Sequence, residues 1–237
     1  MNRSKEVGSL YGLPQRISYE YMKLMKNKFG EGYEVLVIDD KDGLHSLSFA
    51  NHNAKVTMYE PNDVFIYGGN LDNYVLSPLS NRKYWNKHKN NIKINNKNFY
   101  EERIEKKYDF VFCYRSLHEK SNKHISMNRK MRKLLSSVKD NGYIYIFYHM
   151  AKNEKDVSNF PKSQYLRSQE MKNYFDDKVW DIISLIENER LTQHKGHPFH
   201  RKNHKHKVGH VFAKKKNNRL RHNYAYKIIP IFSSNMN

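Results

Sequence analysis

The chain has 237 residues, with 43 lysines and arginines against 24 aspartates and glutamates, a formal net charge of +19 and a pI of about 9.7. This length suits one α/β domain with additions. No apolar run reaches the ~20 residues that span a bilayer, and the N-terminus lacks the apolar segment of a secretory signal peptide. The single cysteine, Cys113, excludes an internal disulfide and fits a cytoplasmic protein.

The positive charge has two explanations. A large excess of basic residues is typical of proteins that contact nucleic acid or another polyanion. Lysine and asparagine also abound along the whole chain, as they do in proteins from AT-rich genomes. The shortage of balancing acidic residues favours a polyanion contact, but composition alone leaves both explanations open.

The N-terminal segment, residues 1–32, is predicted to be helical. Ile17, Tyr21 and Leu24 fall at helical spacing, and Gly30 and Gly32 end the pattern. The segment predicts a pair of helices that packs against the domain that follows.

Residues 35–60 predict a βαβ unit. An apolar strand, Val35–Ile38, runs into a turn that ends at Gly43, and a short helix leads to a second strand over Lys55–Tyr59. The start of a helix after such a turn offers free N–H groups to a ligand. Glu60, 17 residues after Gly43, follows the second strand at about the distance where an acidic residue reaches ribose hydroxyls.

The next part of the chain alternates between strand and helix signals. Ile92 and Ile94 indicate a short third strand within a stretch rich in asparagine and lysine. Residues 108–114 form a buried-strand pattern, followed directly by Arg115-Ser116-Leu117-His118. The remaining predicted elements are a helix from about 125 to 138, a turn over 139–142 and strands over 143–148, 179–185 and 208–215.

This succession resembles the class I S-adenosylmethionine (SAM) methyltransferases, in particular their tellurite-resistance-like and small-molecule branches. The resemblance covers about residues 33–216. Three blocks carry it: the βαβ unit, the Leu117-His118 pair after the fourth strand, and the run from Leu134 through Val138-Lys139 to Gly142 before the fifth. It implies a Rossmann-like α/β fold, with a seven-stranded mixed sheet in the order 3-2-1-4-5-7-6 and helices on both faces. Residues 217–237 would then be a basic C-terminal tail.

The turn departs from the pattern of the family. That turn usually reads Asp-x-Gly-x-Gly-x-Gly, whereas this chain, aligned on Gly43, reads Val37-Ile38-Asp39-Asp40-Lys41-Asp42-Gly43. Asp39 and Lys41 stand where two glycines are expected, so the glycine-rich motif is degenerate. Side chains at these positions take up space and require a backbone angle that glycine adopts more readily.

The resemblance implies SAM as the cofactor and suggests residues that bind it. Glu60 would bind the ribose, and Asp39 and Gly43 would flank the methionine portion, with Asp39 on its amino group. Asn98 and Phe99 would lie near the adenine, and Tyr114 is a further candidate at a strand end.

His118 is the candidate catalytic residue, as a general base or as a residue that shapes the acceptor pocket. Arg115 and His149 are nearby candidates of lower rank. A purely structural role for His118 at a strand end is equally compatible with the sequence.

Two hypotheses about function follow. The first is a SAM-dependent methyltransferase that acts on a small molecule or on RNA. The alternative is a catalytically degenerate protein of methyltransferase fold that binds nucleic acid or a protein partner.

The C-terminal part of the chain is rich in histidine and in basic residues. Six histidines lie between His194 and His210, but their spacing matches no standard zinc module, so no metal site is predicted. This loop would either contact phosphate or substrate, or be a solvated connection. From Arg190 to Asn237 there are 12 lysines and arginines and no acidic residue, with aromatic residues interleaved. Residues 190–227 are therefore predicted to contact a polyanion, unless the tail simply packs back on the domain.

Overall fold

Continuous apolar runs become the central strands, and the segments between them become the helices that cover the sheet. The computed structural model describes residues 16–71, 74–82, 84–103, 105–118, 122–150, 165–194 and 204–217. The helices are α1 Arg16–Phe29, α2 Leu44–Asn51, α3 Asp63–Tyr67, α4 Trp85–His88, α5 Met127–Ser136 and α6 Ser168–Lys172. The strands are β1 Glu34–Ile38, β2 Lys55–Tyr59, β3 Gly69–Leu71, β4 Tyr74–Leu76, β5 Ile92–Asn95, β6 Tyr108–Tyr114, β7 Val138–Met150, β8 Trp180–His194 and β9 His204–Lys215.

Seven of the strands form one mixed sheet in the order β5-β2-β1-β6-β7-β9-β8. The first five of these strands pair in parallel, whereas β9 pairs antiparallel with both β7 and β8. Counted along the chain without the small β3–β4 hairpin, this is the order 3-2-1-4-5-7-6. The predicted α/β fold and strand order are confirmed.

The two faces of the sheet carry two hydrophobic cores. On one face, α1 and α2 cover the sheet through Met22, Met25 and Phe49. On the other face, α5 and α6 pack with Met131 and Met171 among the buried residues. Successive residues of a strand point to opposite faces, so each central strand supplies both cores. Helices therefore lie on both faces, as predicted.

Several predicted boundaries are wrong. Strand β7 begins at Val138, and its pairing with β6 shifts register between Tyr108 and Phe110, so the predicted turn 139–142 is an irregularity within the strand. Strand β8 extends as far as His194, and strand β9 begins at His204, which pairs with His194. Much of the predicted histidine loop is therefore β-ladder, because backbone pairing does not depend on the polarity of the side chains.

Other predictions fall partly outside the described residues. Of the predicted N-terminal helix pair, α1 is described, and residues 1–15 lie outside. His197, His200 and residues 218–237 also lie outside, so the predicted polyanion contact over 190–227 stays a prediction. In the described part of the chain, no helix is long and apolar enough to cross a membrane, and no group of three or more His, Cys, Asp or Glu side chains is placed to hold a metal ion.

Candidate functional site

The turn between β1 and α2 has an unusual backbone. Asp39, Lys41 and Gly43 have φ angles of 54°, 57° and 72°, all in the left-handed region. A residue other than glycine costs roughly 1–2 kcal/mol in this conformation. The two positions where the resemblance expects glycine thus keep a backbone that glycine adopts readily, although their side chains are aspartate and lysine.

Gly43 is held at the turn by close packing as well as by its backbone angle. A Cβ atom at this position would lie 2.3 Å from Leu79 Cδ1. Leu79 is buried, and it follows the β3–β4 hairpin along the chain. A side chain at position 43 therefore requires Leu79 to shift.

Asp39 joins the carboxyl ends of β1 and β6. Its Oδ2 accepts hydrogen bonds from Ser116 Oγ and from Asn122 Nδ2, the latter at 2.9 Å. Tyr100 extends the network, with its hydroxyl 2.9 Å from Ser116 Oγ. All four residues are buried. Between β1 and β6 the strand order reverses direction, which is the place where open α/β sheets bind ligands.

Asp40 caps the start of α2. Its carboxylate accepts hydrogen bonds from the backbone N–H groups of His45, at 3.1 Å, and Ser46, at 2.7 Å. Burial raises the pKa of Asp40 to about 7, although these hydrogen bonds act in the opposite direction. Two N–H groups at the start of the helix, which the sequence suggested for a ligand, are therefore bonded within the protein.

Glu60 lies against the turn. Its Oε2 accepts a hydrogen bond from the Lys41 backbone N at 2.8 Å, and its Oε1 accepts one from Asn62 N at 3.0 Å. The side chain is almost completely buried. Burial, and secondarily the negative charge of Asp39, raises the pKa of Glu60. Each carboxylate oxygen has a second lone pair, so the two bonds leave acceptor capacity for a pair of ribose hydroxyls.

The side chain of Lys41 runs from the turn to α3. Its ammonium lies 5.3 Å from the centre of the Phe65 ring, and the residue is partly buried. The positive charge beside Glu60 acts against the rise in the pKa of that carboxyl. Lys41 thus covers the edge of the turn next to Glu60.

Asn98 and Phe99 follow β5 but have different surroundings. Asn98 Oδ1 accepts a hydrogen bond from Tyr100 N at 3.0 Å, which closes a local turn. Phe99 is fully buried, with Tyr59 and Tyr100 at ring-centroid distances of 5.4 and 5.2 Å and Lys133 Nζ 5.0 Å from its centre. A base could stack on Phe99 only by displacing one of these neighbours, so the adenine contact stays a prediction.

His118 and His149 form a stacked pair at the carboxyl ends of β6 and β7. Their ring centroids are 3.5 Å apart and the ring planes differ by 19°. His149 is buried and His118 is partly exposed. The buried His149 ring therefore packs face to face against the partly exposed His118 ring and limits the orientations that His118 can adopt.

Tyr114 and Arg115 share a neighbour, Phe147, with this pair. The Arg115 guanidinium carbon is 5.3 Å from the Tyr114 ring and 5.5 Å from the Phe147 ring. The Phe147 ring in turn lies 6.1 Å from that of His149. The Phe147 ring therefore links the four candidates at this strand end, namely Tyr114, Arg115, His118 and His149.

Known proteins resemble this chain in structure but not in sequence. No protein-family model matches the sequence, and no curated protein matches it. The structure of TehB from Haemophilus influenzae matches with a TM-score of 0.60 and 18% identity, covering 83% of this chain and 62% of TehB. This chain thus spans less than two thirds of the length of TehB.

Two further matches are methyltransferases with S-adenosylhomocysteine bound. The N-methyltransferase NodS from Bradyrhizobium japonicum matches with a TM-score of 0.53 and 8% identity, over 90% of this chain and 95% of NodS. The 1,6-didemethyltoxoflavin N1-methyltransferase from Burkholderia thailandensis matches with a TM-score of 0.51 and 10% identity, over 86% of this chain and 80% of that enzyme. The chain has the class I methyltransferase fold. At sequence identities this low, the similarity to these structures supports the fold alone.

Sequence reasoning missed part of this site. Ser116, Asn122 and Tyr100 belong to no motif, and they meet Asp39 only because the chain folds. Asp40 lies three residues before Gly43, the N-cap of α2, so the preference for aspartate at the N-cap position would not have identified its role either.

Proposed function

We propose that this chain is a SAM-dependent methyltransferase whose cofactor binds at the carboxyl ends of β1, β2 and β6. The position of Glu60 carries the proposal, because its carboxylate lies 2.8 Å from the backbone N of Lys41 in the turn. The acid after the second strand and the turn after the first thus meet at one place, as ribose recognition requires. The methyltransferases NodS and 1,6-didemethyltoxoflavin N1-methyltransferase, with S-adenosylhomocysteine bound, have the same fold.

The residues around the turn suit the parts of such a cofactor. Glu60 would accept hydrogen bonds from the ribose hydroxyls, and Asp39 would balance the positive amino group of the methionine portion. The left-handed backbone at Lys41 and Gly43 would allow the turn to approach that portion. When bound, SAM supplies a methyl group already activated on a sulfonium, so the protein contributes mainly by positioning the acceptor.

His118 is proposed to act on the acceptor. A base is needed only if the attacking atom carries a proton in the transition state. His118 is partly exposed while His149 is buried, so His118 would take the proton, and its stacked neighbour would hold its ring in place.

The acceptor is proposed to be a small molecule, with RNA as the other class that the charge suggests. The Burkholderia enzyme, whose structure contains its small-molecule acceptor, supports the first choice. We place the protein in the cytoplasm, in keeping with its single buried thiol.

The alternative function is a methyltransferase-fold protein without cofactor that binds nucleic acid or a protein partner. Two observations favour it. Lys41 lies over Phe65 beside Glu60, and Asp40 occupies N–H groups at the start of α2. Both place side chains of the protein where a cofactor would otherwise make contacts.

Isothermal titration with SAM and S-adenosylhomocysteine tests the proposal on purified protein free of nucleic acid. We expect micromolar binding that weakens at least about tenfold in Glu60→Gln, because the amide nitrogen cannot accept a hydrogen bond from a ribose hydroxyl. Glu101→Gln is the matched control, since Glu101 pairs with His124 on the surface. No binding at millimolar ligand would refute the enzyme and leave the alternative.

A further inference from the structure

Arg115 is a cation without an acidic partner among the described residues. Its guanidinium lies over two aromatic rings, those of Tyr114 and Phe147. Within the described part of the chain, no carboxylate lies within 4.0 Å of it, and its buried Nε has no hydrogen-bond acceptor. A buried donor without an acceptor is costly, so Arg115 Nε is a donor that a bound acceptor group could satisfy.

The backbone at Arg115 is strained as well. The residue has a φ angle of 66° directly after β6. Left-handed residues other than glycine, asparagine and aspartate are uncommon, and such strain gathers at functional sites. The turn thus holds an arginine where glycine would fit with less strain, and it places that arginine two residues before Leu117-His118.

The groups around Arg115 are imidazoles and aromatic rings. His210 lies 4.8 Å from Phe147, between ring centroids, and shares a 2.6 Å hydrogen bond with Tyr145. His45 packs 4.7 Å from Tyr114, and its buried Nδ1 has no partner among the described residues. Burial lowers the pKa of His210 to about 4, and burial together with Arg115 lowers that of His45 to about 3. Both rings are neutral at pH 7, so Arg115 supplies the positive charge.

We propose that Arg115, which Phe147 links to the stacked pair of His118 and His149, forms a subsite for an oxyanion group of the methyl acceptor, a carboxylate or a phosphate. Guanidinium binds both groups through paired N–H donors. The assignment of this anion to the methyl acceptor rests on the proposed function. It narrows the acceptor to a small anionic molecule. A single arginine among rings suits one anionic group better than the repeated phosphates of a nucleic acid.

The probes are benzoate and inorganic phosphate, with benzamide as the neutral analogue of benzoate. NMR titration of the 15N-labelled, cofactor-free protein would follow the histidine ring signals. We expect saturable shifts with at least one anion and none with benzamide. Saturation by benzoate alone would assign a carboxylate acceptor, and saturation by phosphate alone a phosphate acceptor. If neither anion gave saturable shifts, or if benzamide bound as well as benzoate, the subsite would be refuted without any variant.

Arg115→Gln is the decisive variant. It should weaken anion binding at least about tenfold. Arg103→Gln makes the same change of charge at a side chain that is 90% exposed and paired with Glu105, and it should leave binding unchanged. Equal anion affinity in Arg115→Gln and wild type would overturn the assignment to Arg115.

The same titration repeated with S-adenosylhomocysteine separates the two proposals. Anion binding that depends on Arg115, with no binding of S-adenosylhomocysteine, would overturn the proposed function and leave an anion site. Binding of S-adenosylhomocysteine without anion binding that depends on Arg115 would overturn the subsite and leave the methyltransferase.

Discussion

Gly43→Ala should destabilise the protein through two separate effects. The first is conformational, because position 43 has a φ angle of +72°, where an alanine costs roughly 1–2 kcal/mol. The second is steric, because the new Cβ would lie 2.3 Å from Leu79 Cδ1. Carbon atoms in contact are normally about 3.5–4.0 Å apart, so Leu79 or the turn must move by more than an ångström.

Gly30→Ala separates the two effects. Gly30 has nearly the same φ angle, +76°, but no atom lies within 4 Å of the Cβ that an alanine would add there. Alanine also reduces the freedom of the unfolded chain at either site, which offsets roughly 0.4–1 kcal/mol of the conformational cost. The difference between the two variants is therefore the steric cost, which we expect to be about 1–3 kcal/mol for an overpacked site.

Urea unfolding of both variants measures this difference, since the midpoint and slope give the free energy of unfolding. Repeating Gly43→Ala in a Leu79→Ala background completes a double-mutant cycle. Removing the leucine side chain should abolish the steric part and leave only the conformational part. The reasoning fails if Gly43→Ala costs no more than Gly30→Ala, or if the Leu79→Ala background leaves its cost unchanged.

Three further changes probe the acidic turn. Asp39→Asn should weaken SAM binding at least about tenfold in a calorimetric titration, yet cost little stability, because an amide oxygen can still accept from Ser116 and Asn122; unchanged affinity would remove Asp39 from the cofactor site. The free energy of unfolding of Lys41→Gly should exceed that of Lys41→Ala by roughly 1 kcal/mol, because both variants lose the lysine side chain but only glycine adopts the left-handed backbone without strain. Equal unfolding midpoints for the two variants would contradict this. The folded-state pKa of Asp40, about 7, is above its ordinary 3.8, so the stability it contributes is present at acid pH and lost as pH rises between these values, at up to about 1.4 kcal/mol per pH unit. In urea unfolding across that range, the stability of wild type relative to Asp40→Asn should therefore fall with rising pH, and a constant difference would refute the assignment.

The central strands could be predicted from the sequence because strands that are buried on both faces consist of short, continuous runs of apolar residues. Strand β2 and strand β6 have the predicted bounds, and β1 starts one residue early. Parallel strands that are buried on both faces need apolar residues at every position. The edge strand β8 and its neighbour β9 are longer than predicted, because their outer parts pair through backbone groups of polar residues such as His194 and His204.

The meeting of Glu60 with the turn also followed from the sequence, since neighbouring parallel strands end at the same edge of a sheet. The network around Asp39 did not. Ser116 and Asn122, which bond to Asp39, lie 77 and 83 positions after it in the sequence. No local sequence pattern relates residues that far apart. The strained backbone of Arg115 and the burial of Phe99 were likewise decided by tertiary packing. Periodicity along a chain records which face of an element is buried, whereas the partners of a polar side chain depend on how distant elements pack together.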